Sequence, residues 1–299
     1  MPPVIVADRL TKYYGKSRGV EDLSFEVRQG EVFGFLGPNG AGKSTTIRTM
    51  LDLIRATSGR LSVFGLDTRR DAPRIHRRVG YMPGEFGLYE RLTGEQYLRD
   101  FSGFRGGVDQ DYVREVAKRV KLDLDVRIKS LSHGNKRKVG LVQAFMAQPE
   151  LLVLDEPTQG LDPLVQQEFY SLVDEARVRG HTVFMSSHVM PEVERVCDRV
   201  AIIREGRLIT IDDVGELKAK ALRKISLHFG EPIAAAAFTS LPSVVSADTR
   251  GGDEIELTVR GTLDAVVKEA ARYEIINIST HEPSLEDIFL DVYRNGGEA

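Results

Sequence analysis

Gly37-Pro38-Asn39-Gly40-Ala41-Gly42-Lys43-Ser44 is the stretch on which the reading of this sequence turns. Two glycines five residues apart, followed by Lys and Ser, make the phosphate-loop pattern. The flanks agree with it. Residues 32–36 are apolar and bounded by a charge and a glycine, as a buried strand requires, and residues 45–54 carry Ile47, Met50, Leu51 and Ile54 on one helical face. A strand, a glycine loop and a helix in succession let backbone N–H groups converge on an anion at a helix N-terminus. Gly37, Pro38, Asn39, Gly40, Ala41, Gly42 and Thr45 are therefore candidate phosphate contacts. Lys43 is suited to the β- and γ-phosphates, and the Ser44 hydroxyl to magnesium.

A phosphate loop needs an acidic partner from a neighbouring strand end. Residues 151–154 are four apolar residues followed by Asp155 and Glu156. Asp155 is placed for the magnesium side, and Glu156 for orienting or deprotonating the attacking water.

Further out, short β-rich runs at 4–7 and 23–27 precede the loop, and a charged helical pattern fills 92–126 with Tyr97, Phe101, Val113, Val116 and Val120 as its apolar positions. A helical run at 164–179 leads to a buried strand at 183–186, and a hairpin at 200–203 and 208–211 turns at Glu205 and Gly206. Strands alternating with helices predict a wound α/β core. The pattern restarts after Asp213: runs at 225–229, 233–241, 244–247, 255–259, 263–271 and 275–279 read as strand, helix, strand, strand, helix, strand. That is the order of a ferredoxin-like unit. An amphipathic helix through Leu285, Ile288, Phe289 and Val292 closes it.

Composition narrows the function classes. Of 299 residues, 41% are hydrophobic and 28% charged, which suits a globular protein able to bury a core. A formal charge of -3 with both signs interspersed argues against nucleic acid as a partner. One cysteine, Cys197, allows no internal disulfide and no thiolate zinc site, and reads as a small buried hydrophobe. The opening MPPVIVADRL has no export-signal pattern and no run of about 18 apolar residues occurs, so a membrane role is expected only through a separate chain.

From Asp8 to about Asp212 the residues resemble the ATP-binding cassette (ABC) ATPases. Leu131-Ser132-His133-Gly134-Asn135 resembles the family signature, Gly160-Leu161-Asp162 the loop through which paired subunits communicate, and Ser187-His188 the switch histidine. The resemblance implies that Ser132 and Gly134 face the ATP of the opposite subunit, that His188 contacts the γ-phosphate, and that Tyr14 stacks on adenine, with Tyr13 adjacent. Two departures stand out. Gly84 occupies the place of the family's coupling glutamine, leaving Glu85 as the candidate replacement, and His133 and Asn135 stand where Gly and Gln are commoner. The end of the chain, Glu282-Pro-Ser-Leu-Glu-Asp-Ile-Phe-Leu290, resembles the closing segment of cassette subunits that serve drug and antibiotic exporters with a separately encoded membrane subunit.

The resemblance implies an α/β fold with a P-loop NTPase core of the ABC type, carrying an antiparallel β subdomain and a helical subdomain (about 86–147) within residues 1–214. A small α+β ferredoxin-like domain at 215–299 follows, as a dimer prop, a sensor or simple packing. The implied activity is ATP hydrolysis with Mg2+ in a homodimer that drives integral membrane partners from the cytoplasmic face. Phe86, Leu88, Tyr89 and Leu92 are candidates either for docking that partner or for the core. A phosphotransferase and a soluble cassette protein uncoupled from transport remain the alternatives.

Overall fold

Strands with no solvent face build the centre of the parallel sheet. In this computed structural model, which describes residues 2–85, 87–220 and 222–281, every residue of β3 (Val32–Leu36), β7 (Leu151–Asp155) and β8 (Thr182–Ser187) is buried. Such strands need cover on both faces. The segment with Leu285, Ile288, Phe289 and Val292, and Phe86, lie outside the described residues. The chain divides into two units, Met1–Asp212 and Asp213–Ala299.

In the first unit, β1 (Pro3–Tyr14), β2 (Ser17–Arg28), β4 (Ser58–Val63) and β5 (Leu66–Asp67) form an antiparallel sheet in the order β2-β1-β4-β5. The second sheet adds β6 (Val79–Met82), β9 (Arg199–Arg204) and β10 (Arg207–Asp213) to the three buried strands, in the order β10-β9-β3-β8-β7-β6. β3 pairs in parallel with β8 and β9, and β7 with β6 and β8. Phe25 of the antiparallel sheet packs on Phe33, Phe35 and Phe184 of the parallel one, with ring centroids 6.0, 5.5 and 6.2 Å away. These rings join the two layers.

The helices of this unit are α1 (Lys43–Met50), α2 (Ala72–His76), α3 (Gly94–Phe104), α4 (Gln110–Arg119), α5 (His133–Phe145), α6 (Pro163–Val178) and α7 (Met190–Val196). The helical stretch expected at 92–126 is two helices. Thr93 and Gln96 form a capping box that starts α3, and Gly106 and Gly107, both at positive φ, separate it from α4. The expected helix at 45–54 begins at Lys43 and stops at Met50, where Leu51 leaves the helical region. Glu205 and Gly206 both have positive φ, as a two-residue hairpin turn requires.

The second unit holds α8 (Val214–Lys220), β11 (Leu222–Phe229), α9 (Ala236–Thr239), β12 (Val244–Arg250), β13 (Glu254–Arg260), α10 (Asp264–Ala270) and β14 (Ile275–His281). Its sheet runs β12-β13-β11-β14, the ferredoxin-like order. Ile225, Leu227, Phe229, Ile255, Leu257 and Val259 alternate inward against Phe238 and Val266. The expected helix at 233–241 is a single turn at 236–239, because only Phe238 of that turn is buried against the sheet.

Candidate active site

Parallel pairing aligns strand ends that lie far apart in sequence. Leu36 is in register with Ser187, Asp155 with Ser186, and Met82 with Leu154. The residues that follow, Gly37, Glu156, His188 and the turn at Gly84, therefore emerge along one sheet edge, where open α/β sheets bind ligands.

The phosphate loop is fixed by its backbone. Gly37 N–H donates to the Ser187 carbonyl (3.2 Å), and Gly206 N–H to that of Ala41 (2.9 Å). Gly42, at φ 105, leads into α1, and a Cβ there would lie 2.5 Å from Val20 Cγ1. Torsion and space both demand glycine. Gly40, also at positive φ, faces open space. Lys43 is 5% exposed; its ammonium donates to the carbonyls of Gly37 (2.6 Å) and Pro38 (3.2 Å) and sits 3.1 Å from Glu156 Oε1.

On the acidic side, Asp155 is buried, and its Oδ1 accepts the Ser186 hydroxyl at 2.6 Å. A Cβ on Gly84 would lie 3.2 Å from Asp155 Oδ2. Among the described residues no cluster of three His, Cys, Asp or Glu could hold a metal. The pair Ser44 and Asp155 nevertheless suits magnesium, which takes one or two protein oxygens and completes its shell from phosphate and water. Glu156 stands at φ 50, and its N–H donates to the Ser186 carbonyl (3.2 Å) and hydroxyl (3.1 Å). Its Oε2 meets His188 Nδ1 at 2.7 Å, so one carboxylate joins Lys43 to His188.

Tyr14, 47% exposed, borders a cleft of about 270 Å³ with Gly40, Lys43, Thr45 and Glu156. Its hydroxyl lies 3.5 Å from Thr45 Oγ1. Tyr13 turns away and donates to Glu21 Oε1 at 3.0 Å. The residues lining this cleft include none from α5. Ser132 is exposed and caps α5, accepting the Asn135 N–H at 3.3 Å. A Cβ on Gly134 would lie 2.8 Å from the Gly160 carbonyl, so the first turn of α5 touches the Gly160 loop. Asp162 caps α6 through the Val165 N–H and lies 3.6 Å from the Lys138 ammonium; the backbone hydrogen bond, with Lys138, holds its carboxyl below the ordinary range. Glu85 is exposed, and Leu88 and Leu92 are half-buried.

Three residues of this edge carried no signal in the sequence. Ser186 holds both Asp155 and the Glu156 backbone. Arg137, on α5, donates to the carbonyls of Gly84 (2.7 Å) and Glu156, and burial pushes its pKa down. It stands between Lys136 and Lys138, and a run of cations reads as a solvated face. Glu192 of α7 accepts hydroxyl bonds from Ser187 (2.9 Å) and Thr158, tying the loop after β8 to the loop after β7.

Burial pushes the Glu192 carboxyl up, outweighing those two hydroxyl bonds. The folded chain then holds this proton more tightly than the unfolded chain, so stability declines as pH rises from the ordinary carboxylate value through the raised one. Glu192→Gln lacks that decline. The thermal midpoint of the variant minus that of the wild type is expected to grow between pH 4 and pH 8 (roughly the span of a buried carboxylate); a flat difference contradicts this account.

Comparison with known proteins fits the geometry. The family described as ABC transporter matches residues 20–159, and the family described as ATP-binding protein DrrA1-3-like, C-terminal domain, matches residues 213–293. The chain is 33% identical over 304 residues to the bacitracin transport ATP-binding protein BcrA of Bacillus licheniformis, covering 99% of each. It is 30% identical to a fluoroquinolones export ATP-binding protein of Mycobacterium tuberculosis, over 97% of this chain and 93% of that one. A solved structure described as the ATP binding subunit of an ABC transporter matches with a TM-score of 0.67 at 30% identity, covering 72% of this chain and 92% of the other. With identity of this order running along the whole chain, the protein belongs to the ABC transporter family, as one of its ATP-binding, ATP-hydrolysing members.

Proposed function

We propose that two copies of this chain enclose two ATP molecules and hydrolyse them to drive an exporter whose membrane-spanning subunits are separate chains. One observation carries the reading: Ser132 and Gly134 stand at the start of α5, with Ser132 exposed, yet neither borders the Lys43 cleft of its own chain. A second protomer gives them a phosphate to face.

Within each site the residues divide the work. The loop from Gly37 to Thr45 wraps the phosphates, with backbone N–H groups from Asn39 onward turned to them, Tyr14 offers its ring to the adenine, and Lys43 exchanges Glu156 for the β- and γ-phosphates. That exchange releases Glu156 to take the proton of the attacking water, and frees His188, bonded to the same carboxylate, to contact the γ-phosphate. Ser44 and Asp155 would hold magnesium, which would supply charge neutralisation at the phosphate oxygens. Asp162, whose loop touches Gly134, links one site to the other across the dimer.

Among the described residues no helix is long and apolar enough to cross a membrane, and relatives named as ATP-binding proteins of transporters support separate membrane subunits, with this chain on the side where ATP is found. Relatives named for bacitracin transport and fluoroquinolone export support the export direction. Tyr89 and, on α3, Tyr97, Phe101 and Phe104 form an aromatic line in which Tyr97 is buried; its exposed ends, Tyr89 and Phe104, are the surface we assign to the membrane partner. Glu85, exposed beside Gly84, takes the place of the missing glutamine side chain in that contact.

The test is the mass of the ATP complex. A Glu156→Gln chain with Mg-ATP is expected to sediment as a dimer, and addition of Ser132→Arg to return it to a monomer that still binds ATP. A monomer in the first case, or an unchanged dimer in the second, contradicts the sandwich.

A further inference from the structure

We propose that Arg137 is a positioning residue for hydrolysis: its guanidinium fastens the Glu156 turn to the Gly84 turn and so ties the attitude of the catalytic carboxylate to helix α5. The proposal rests on the reading of Glu156 as the general base.

Arg137 is the largest fully buried side chain among the described residues, at 1% exposure. Burying a guanidinium is costly unless its donors are used. Here one arm, Nη1, donates to the Gly84 carbonyl at 2.7 Å and the other, Nη2, to the Glu156 carbonyl. Both acceptors are backbone atoms of turns that leave the sheet at adjacent strand ends, β6 and β7. A planar fork suits two such acceptors, and a lysine ammonium does not.

The Glu156 turn needs this fastening. A φ of 50 is unfavourable for a residue with a side chain and persists only where the surroundings impose it. Ser186 holds the turn from its N–H side, and Arg137 from its carbonyl side. Released at the carbonyl, the turn is free to relax toward negative φ, carrying the carboxylate away from Lys43 and His188.

Gly84 explains why a cation is used. It has no side chain to reach across, and a Cβ there would press on Asp155 Oδ2 at 3.2 Å. The turn offers its backbone carbonyl, and Arg137 takes it. Gly160 packs against the same side chain, since a Cβ on it would lie 3.6 Å from Arg137 Cδ. Three loops of the active edge thus meet on one residue of the helix that Ser132 caps. Displacement of α5, whether by a second protomer at Ser132 or by a partner on the helical subdomain, is passed to the Glu156 carbonyl by this side chain.

The test uses the full chain carrying Arg137→Lys, which keeps a cation and most of the stem but loses the fork. Its kcat for ATP is expected to fall about tenfold or more, as displacement of a catalytic group does. The ATP dissociation constant is expected to stay within about twofold, because no phosphate contact is removed. In a Glu156→Gln background the same change should lower kcat no further, since the residue acts through Glu156. Unchanged kcat in Arg137→Lys, an equal loss of affinity and kcat, or a full second loss in the double variant overturns the proposal. Near-normal turnover of Glu156→Gln alone marks failure of the base assignment and takes this proposal with it. Loss in that variant beside full turnover in Arg137→Lys overturns the proposal only.

Discussion

Glu156→Gln is expected to lower ATP turnover by about 10²–10⁴-fold, the range over which a positioned general base accelerates proton transfer, while ATP remains bound. The substitution keeps the size of the side chain and its place at the end of β7, so the hydrogen bonds of the turn to Ser186 and Arg137 survive. What disappears is the negative charge. The amide cannot take a proton from water at neutral pH, and it no longer pairs with the Lys43 ammonium now 3.1 Å away. Lys43 then meets the incoming phosphates without a competing carboxylate, so affinity should hold or rise. Single-turnover hydrolysis measured beside equilibrium binding separates the two effects. Weaker binding with turnover largely retained would show that Glu156 shapes the pocket instead of acting as the base.

Gly37→Ala is expected to have the second-largest effect, on stability and nucleotide binding together. The new Cβ would lie 2.3 Å from the Ile203 carbonyl oxygen and 2.9 Å from Ile203 Cγ2. A backbone atom of a buried strand cannot step aside, so the loop must lift from β9. Overpacking of this kind costs about 1–3 kcal/mol. The lifted loop also loses its Gly37 N–H bond to Ser187 and the carbonyl that receives Lys43, so ATP affinity should fall with the thermal midpoint. Gly103→Ala is the control: it lies in α3 with nothing within 4 Å of its Cβ, and alanine there should leave stability unchanged or slightly raised. Equal midpoints for both variants would show that the approach to Ile203 is not what requires glycine.

The local chemistry of this protein was legible residue by residue. The phosphate loop could be read because spacing and torsion within eight residues set where N–H groups point, and the strand at 32–36 because a short, wholly apolar run between turn residues has no solvent face. The order of elements after Asp213 could be read because each alternates with its own period, and the sheet order β12-β13-β11-β14 agrees with it. The Tyr13 and Tyr14 pair could not be separated in this way. Two neighbouring aromatics on a strand differ only in which face they take, and Glu21, brought in from another strand and itself paired with Arg207, claims Tyr13.

The sequence by itself determined which groups can bind phosphate, which can take a proton and which stretches are buried, because those properties follow from side-chain chemistry and from periodicity over a few residues. Only the tertiary structure decided which groups work together. β3, β7 and β8 are neighbours although more than a hundred residues separate the first from the others, and it is their shared register that brings Lys43, Glu156 and His188 into contact. Arg137 and Glu192 show the same limit most clearly. A charge in a helix pattern reads as solvated, and its burial against another loop arises from long-range packing, which no local pattern encodes.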